Sequence, residues 1–162
     1  MEPFKVIKLT RGMATIVDPE DYALVSQYKW HARYDPKTRS YRALHSHRQE
    51  GSRNQKTIYL ARLIMSAPPG SHVDHINHDT LDNRRCNLRV CSPAENSMGR
   101  KSHINEYKGV HWHTRDCVWN ANIRVNKRLI HLGSFKNKLE AAKAYDEAAK
   151  QHFGEFACLN LG

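Results

Sequence analysis

Val73-Asp74-His75-Ile76-Asn77, followed by Asn87-Leu88-Arg89-Val90-Cys91 and then by Ser92-Pro93-Ala94-Glu95-Asn96, is the stretch on which the reading of this chain turns. His72–Ile76 is short and β-prone, and Leu88–Cys91 reads as a second short strand. Between them, Asn77–Asn87 is dense in Asn, Asp and Arg, and Asn and Asp favour turns because their side chains bond nearby backbone. Ser92 can cap a helix, Pro93 suits the first helical position and Glu95 completes a capping box. The order is therefore strand, loop, strand, helix. Asn96 falls in the helix's first turn, from which its side chain can point back at the hairpin.

These residues carry a specific chemistry. Hydrolysis of a phosphodiester needs an activated water, charge stabilisation on the phosphoryl oxygens and help for the leaving oxygen. The His75 imidazole can take a proton near neutral pH. Asp74 and Asn96 offer one charged and one neutral oxygen ligand, a set that suits Mg²⁺ or Mn²⁺ and is poor for zinc. The Asn87 amide can tie the long loop back to the strand and orient His75 through backbone contacts. Asp74 and His75 are neighbours, and a regular strand sends neighbours to opposite faces. Both reach one phosphate only if the strand is strongly twisted or the substrate straddles its end. An Asp-His pair alone reads by default as a solvated polar pair; adding Asn-Leu and an Asn in a capped helix makes the pattern far more specific.

The chain has 162 residues and a formal net charge of +10. That length suggests one or two small domains, and that charge a polyanion partner, usually nucleic acid. The blander alternative is a merely soluble basic protein. Residues 1–70 carry a net +6, residues 71–100 zero and residues 101–162 a net +4. A neutral centre between basic flanks fits binding arms around a cleavage centre, since phosphate contacts give affinity and position without doing chemistry. Cys86, Cys91, Cys117 and Cys158 form no Cys-x-x-Cys pair. Their spacing is poor for zinc, and with no apolar signal segment at the start they read as buried or half-buried thiols in a reduced cytosolic setting. No apolar run approaches the ~18 residues of a membrane helix.

Outside the centre, residues 4–65 read as short strands and turns. Phe4–Leu9 alternates in part, Ala14–Val17 is β-prone, and Asp18-Pro19-Glu20-Asp21 can start a helical turn with Tyr22, Leu24, Val25 and Tyr28 inward. Tyr28–Tyr34 and Ser40–Leu44 read as strands, Gln49–Gln55 as a polar loop, and Thr57–Leu60 leads into a short helix over Ala61–Met65. After a polar, basic linker over 101–106, Tyr107 begins a run of three strands. In Cys117–Val125, Trp119, Ala121, Ile123 and Val125 face one way and Asn120, Asn122 and Arg124 the other. Trp112 and Trp119 are expected in the core. Asn126-Lys127-Arg128 is a tight turn, Leu129–Leu132 a third strand ended by Gly133, and Asn137-Lys138-Leu139-Glu140 a capping box. The helix it opens runs about four turns, with Leu139, Ala142, Tyr145, Ala149 and Phe153 on one face and Gly154 at its end.

Val73–Asn77, Leu81-Asp82-Asn83-Arg84-Arg85, Asn87-Leu88-Arg89-Val90 and the Ser92–Asn96 helix start closely resemble the HNH endonucleases of the phage and homing type. Leu9-Thr10-x-Gly12, Val17-Asp18, Tyr28-Lys29-Trp30 and Arg62-Leu63-Ile64-Met65 are similar to their leading segment. The resemblance implies a ββα-metal finger with His75 as general base, Asp74 and Asn96 as ligands of Mg²⁺ or Mn²⁺, and Asn87 as the structural middle residue. The chain departs from that pattern where His78 stands for a frequent Gly and Ala61 for a frequent His. Tyr107-Lys108-Gly109-Val110, Trp119–Arg124, Leu132-Gly133-Ser134-Phe135, Glu140–Asp146 and Leu159-Asn160 resemble the plant ethylene-response-factor DNA-binding domain. That family places a three-stranded sheet, backed by one helix, in the major groove, which implies His111, His113, Asn122, Arg124 and His131 as DNA-facing residues. Arg124 suits guanine and Asn122 adenine. Lys127 and Arg128 at the turn suit phosphates, and Arg84 and Arg85 in the central loop are further DNA-binding candidates.

The expected protein is α+β. Residues 1–100 form an HNH endonuclease domain, β-rich over 1–70 and finger over 71–100. Residues 101–106 link it to a DNA-binding domain over 107–162, a three-stranded antiparallel sheet packed on one helix. Its expected activity is metal-dependent nicking of double-stranded DNA by a monomer or weak dimer, in the cytoplasm of a bacterial or phage-infected host cell. The alternatives are a non-catalytic, sequence-specific DNA-binding regulator, and an RNA-binding protein, for which the aromatics form no evident stacking platform.

Overall fold

The computed structural model describes residues 3–48, 55–100 and 105–162, with Arg48 described by its backbone alone. Residues 49–54 of the polar loop expected over Gln49–Gln55, and residues 101–104 of the expected linker, lie outside them. The fold mixes α and β, with several small antiparallel sheets and few helices. The chain divides into two compact units, Met1–Pro93 and Ala94–Gly162.

In the first unit, β1 (Lys5–Lys8) pairs antiparallel with β2 (Ala14–Val17). Thr15 and Val17 point inward from β2 because strand neighbours alternate. A 3-10 turn at Pro19–Asp21 leads into α1 (Tyr22–Val25), a single helical turn. Asp21 of the 3-10 turn and Val25 of α1, four apart, are buried, while Tyr22 and Leu24, expected inside, are exposed. Arg85 draws Asp21 inward with a two-point ion pair at 2.7 and 2.8 Å, and this sets which face is buried. Strands β3 (His31–Asp35), β4 (Ser40–Arg48) and β5 (Gln55–Tyr59) form an antiparallel meander that runs into α2 (Leu60–Ile64). Trp30, expected within a strand, precedes β3 as a buried anchor whose Nε1 donates to the Val25 carbonyl at 2.8 Å.

The hairpin β6 (His72–His75) and β7 (Leu88–Cys91) completes this unit. It shares the unit's core, since Leu88 packs with Ile7, Leu9, Val17, Val25, Trp30, Leu60 and Ile64. The loop between the two strands lies along β2. Ile16 N donates to Leu81 O at 3.0 Å and Asn83 N to Ile16 O at 2.9 Å, around a parallel bridge between Ile16 and Asp82. His78 adopts φ 65°, a conformation that costs an L residue roughly 1–2 kcal/mol. The turn thus keeps a backbone that glycine would favour.

Helix α3 (Pro93–Met98) begins on the last residue of the first unit and runs into the second. There, β8 (Val110–His113), β9 (Val118–Val125) and β10 (Arg128–Phe135) form an antiparallel sheet in the order β10-β9-β8. Asn126 and Lys127, at φ 49° and 67°, make the two-residue turn whose twist matches a hairpin. The third strand does not stop at Gly133. A bulge between His131 and Gly133 absorbs the irregularity, and pairing with β9 resumes through Phe135.

Helix α4 (Lys138–Phe153) starts on Asn137, whose side chain accepts from Leu139 N at 2.8 Å. Its buried stripe is Ala141, Ala142, Tyr145, Ala148, Ala149 and Phe153, set against Val110, Ala121 and Ile123 of the sheet. Leu139, expected in that stripe, is exposed because the capped first turn carries it outward and Ala141 takes the inner place. Trp112 also corrects the sequence reading. It is 45% exposed and lies on its cross-strand partner Trp119, with ring centroids 5.1 Å apart, rather than in the core. Asp146 accepts from Asn160 N and Leu161 N at 2.8 and 2.9 Å. Asn160 in turn bonds both the N–H and the carbonyl of Lys108, so the C-terminal residues are sewn to the start of the sheet. Of the cysteines expected to be buried or half-buried, Cys91 and Cys158 are buried, whereas Cys86 and Cys117 are exposed because both stand in turns.

Candidate active site and nucleic-acid interface

Strand β6 ends at His75, and the loop that follows is built from side chains that imitate backbone turns. Asn77 Oδ1 accepts from Asp79 N at 2.8 Å and Asp79 Oδ1 from Leu81 N at 2.9 Å. Asn87 closes the loop. Its Oδ1 accepts from Asn77 N at 2.9 Å, its Nδ2 donates to Asp82 O at 2.8 Å, and its carbonyl accepts from Ile76 N at 2.9 Å. A buried amide with all these partners holds both ends of the loop and thereby the backbone on which His75 sits.

Asp74 stands directly across the ladder from Arg89. Arg89 Nε and Nη2 both donate to Asp74 Oδ2, at 2.9 and 2.6 Å. His75, the next residue, directs Nε2 to within 3.1 Å of Asn83 Oδ1 in the loop. Burial pushes the His75 imidazole below its ordinary value of 6.5, opposed by the Asn83 bond, with the Arg42 charge lowering it further and Asp74 and Asp79 raising it. The two neighbours therefore leave the strand's final residues toward different partners. Asp74, His75 and Asn87 come together in the first unit. Asn96 is the fourth residue of α3 and belongs to the second.

Arg84 and Arg85, offered to DNA by the sequence reading, are both engaged within the protein. Arg84 forks onto Asp82 at 2.8 and 2.7 Å, and Arg85 onto Asp21 while also donating to the Ile64 carbonyl. The Arg84 fork holds the buried Asp82 carboxyl below its ordinary 3.8 against the opposing effect of burial. A carboxyl whose folded value is depressed adds stability above its unfolded value and loses it as pH falls through the folded one. Wild-type melting temperature is therefore expected to fall more steeply than that of Asp82→Asn between roughly pH 4.5 and 2.5. Parallel slopes in thermal melts across that window would show that the pair contributes nothing.

In the second unit, β-register places His111 opposite Asn120, His113 opposite Val118, Asn122 opposite His131 and Arg124 opposite Leu129. These pairs alternate with the buried Val110, Ala121 and Ile123, so they share the sheet face turned away from α4. Within that face, His131 Nδ1 lies 2.8 Å from Asn122 Oδ1, and Ser134 Oγ donates to Asn120 Oδ1 at 2.6 Å. His113 Nδ1 faces Asp116 at 3.3 Å. Arg124 and Lys127 are exposed, the latter at the hairpin tip. Arg128, opposite Val125, falls in register with the other face.

The donor chemistry suits a hard divalent ion. Within the first unit, Asp74 supplies a half-buried carboxylate, and hard cations prefer oxygen ligands. Arg89 offsets part of the Asp74 charge. Asp18, Glu20 and Asp21 also lie close enough to share a cation, but Arg85 already pairs with Glu20 and Asp21 and donates its backbone N–H to Asp18.

Comparison with known proteins matches these two parts. The family model described as HNH endonuclease covers residues 66–98, the segment that holds β6, the loop, β7 and α3. Among individual proteins, an uncharacterized HNH endonuclease of Acanthamoeba polyphaga mimivirus is 28% identical over 159 residues, 97% of this chain and 80% of its own length. Dehydration-responsive element-binding protein 2E of Oryza sativa subsp. japonica is 45% identical over 71 residues, 43% of this chain and 22% of its own. An ethylene-responsive transcription factor-like protein of Arabidopsis thaliana is 29% identical over 84 residues, 49% of this chain and 34% of its own. The chain is thus similar to HNH endonucleases along most of its length and to plant ethylene-response-factor proteins in its C-terminal part.

Asn83, Thr15 and Arg89 also meet these groups, though the motif does not single them out. Asn83 stood in a quoted motif, and its burial inside a polar loop is what marks it. Arg89 is found once the β6–β7 register is known, because it faces Asp74. Thr15 had no signal within the central motif.

Proposed function

We propose that this chain is a metal-dependent DNA endonuclease that nicks duplex DNA, with a second unit that reads the sequence. The observation that carries the reading is the coincidence of the 66–98 family match with a hairpin whose strand ends on Asp74 and His75 and whose loop is clamped by Asn87. In this reading β6, β7 and α3 act as a ββα-metal finger. Asp74 and Asn96 would hold Mg²⁺ or Mn²⁺, which supplies charge for the phosphoryl and leaving oxygens when bound. His75 takes the proton of the attacking water, at a phosphate that straddles the end of β6. Asn87 keeps the loop shut so that His75 stays in place. Arg89 limits the charge on Asp74.

The outer face of β8–β10 binds the major groove, with Arg124 and Asn122 reading base edges and His111, His113 and His131 beside them. Lys127, at the hairpin tip, contacts phosphates. One site per chain cuts one strand, in keeping with a homing-type enzyme acting as a monomer or weak dimer in the cytoplasm of a bacterial or phage-infected cell.

The test is nicking of supercoiled plasmid. Open circles are expected with Mg²⁺ or Mn²⁺ and not with EDTA, and equal cutting in EDTA would exclude a metal mechanism. The similarity to plant transcription factors favours a second reading, a non-catalytic DNA-binding regulator. That reading gains if the protein shifts duplex DNA on a gel but leaves plasmid intact with either metal.

A further inference from the structure

We propose that Asn83, itself held by Thr15, is a positioning residue that sets His75 as the Nε2–H tautomer and leaves Nδ1 as the atom that receives a proton. The catalytic consequence rests on the nuclease reading above; the tautomer rests on geometry alone.

The Thr15 hydroxyl lies 2.6 Å from the Leu81 carbonyl oxygen, which can only accept, so the hydroxyl hydrogen is committed there. The Thr15 oxygen is then an acceptor toward the Asn83 amide atom 2.8 Å away, which must be the nitrogen. The Thr80 carbonyl, 3.4 Å from the same atom, demands a donor too. Exchanging the amide's nitrogen and oxygen would set Asn83 Oδ1 against two acceptors. Thr15 and Asn83 are each 1% exposed, so no solvent is at hand to relieve such a mismatch.

The amide's orientation is thereby fixed, with Oδ1 turned to His75 at 3.1 Å. An amide oxygen only accepts, so Nε2 carries the hydrogen. A neutral imidazole has one N–H, which leaves the lone pair on Nδ1. The bond also fixes the ring's rotation, as an orienting partner does for a ligating or catalytic histidine. Thr15 is delivered by backbone register, since β2 pairs with the loop on both sides of the Ile16–Asp82 bridge. The setting of the base therefore includes a residue well upstream of the matched 66–98 segment.

The first test is long-range ¹H–¹⁵N NMR of the full-length, metal-free chain at about pH 8, where an ordinary imidazole is neutral. His75 is expected to show the Nε2–H pattern; a dominant Nδ1–H form or an even mixture overturns the proposal, whatever the variants do. In Asn83→Leu the single tautomer is expected to be lost. Nicking kcat should fall about 10- to 100-fold, the range seen when an orienting partner is removed, with KM for DNA within about twofold. Thr15→Val should move the tautomer ratio and kcat in the same direction, and Thr15→Ser, which keeps the hydroxyl, should restore both. If Asn83→Leu does not fold, the Thr15 pair and the wild-type spectrum decide. An Asn83→Leu or Thr15→Val protein with unchanged tautomer and kcat sinks the assignment. A wild-type chain that shows Nε2–H and never nicks DNA removes the nuclease reading and leaves the tautomer assignment standing.

Discussion

Replacing His75 by alanine is expected to lower metal-dependent nicking by about 10²- to 10⁴-fold, the usual contribution of a general base, while binding to duplex DNA survives. The two effects separate because they are assigned to different units. His75 ends β6 in the first unit, whereas the face assigned to DNA lies on β8–β10 in the second. Removing the ring also strips Asn83 Oδ1 of a partner inside the protein, at a cost of about 1–3 kcal/mol. A thermal melt must therefore accompany the assay, so that loss of fold is not mistaken for loss of chemistry. Nicking rate, gel shift and melting temperature measured on one preparation separate three cases. Lost cutting with retained binding and a small shift in melting supports His75 as the base. Lost binding as well indicates a structural role. Undiminished cleavage refutes the assignment.

Much of the scaffold around this residue could be read from spacing. Ala14–Val17 and Leu88–Cys91 are strands with the bounds read from β-propensity alone, and Asn137 caps its helix as its residue type and position require. Each depends on neighbours within a few residues. The failures share another cause. Tyr22 and Leu24 are exposed because Arg85, far along the chain, pulls Asp21 inward. Gly133 reads as a stop, yet the sheet continues because Trp119 and Phe135 are paired across the strands beyond the bulge.

The site divides in the same way. The Asp-His pair, Asn87 and the loop are local and could be quoted from the sequence. The contacts that give them direction are not local: Arg89 meets Asp74 through hairpin register, and Thr15 meets Asn83 across the bridge between β2 and the loop. A spacing pattern lists which groups the chemistry can use, but tertiary pairing determines which atom of each is left to act.

Gly109→Ala is the substitution expected to damage the second unit most, by about 3–5 kcal/mol. Gly109 sits at φ 74°, where an L side chain is strained, and a Cβ built there would lie 2.2 Å from Tyr145 Cδ2 and 2.4 Å from the Asn122 carbonyl oxygen. Neither neighbour can give way. Asn122 belongs to the central strand, and its N–H donates back to the Gly109 carbonyl at 2.8 Å, so moving it opens the pairing at the start of the sheet. Tyr145 is buried in the α4 stripe against Ile123, Ala149 and Phe153. A unit of about 70 residues holds only about 4–10 kcal/mol in total, so the substitution removes much or all of its stability. Its melting transition should fall by about 15 °C or more, with loss of duplex binding, while the transition of the first unit stays in place. This is the reverse of His75→Ala, which spares binding and ends cutting. A Gly109→Ala protein that melts within a few degrees of wild type would mean that the contact between the β8 entry and α4 is looser than the packing of Gly109 against Tyr145 requires.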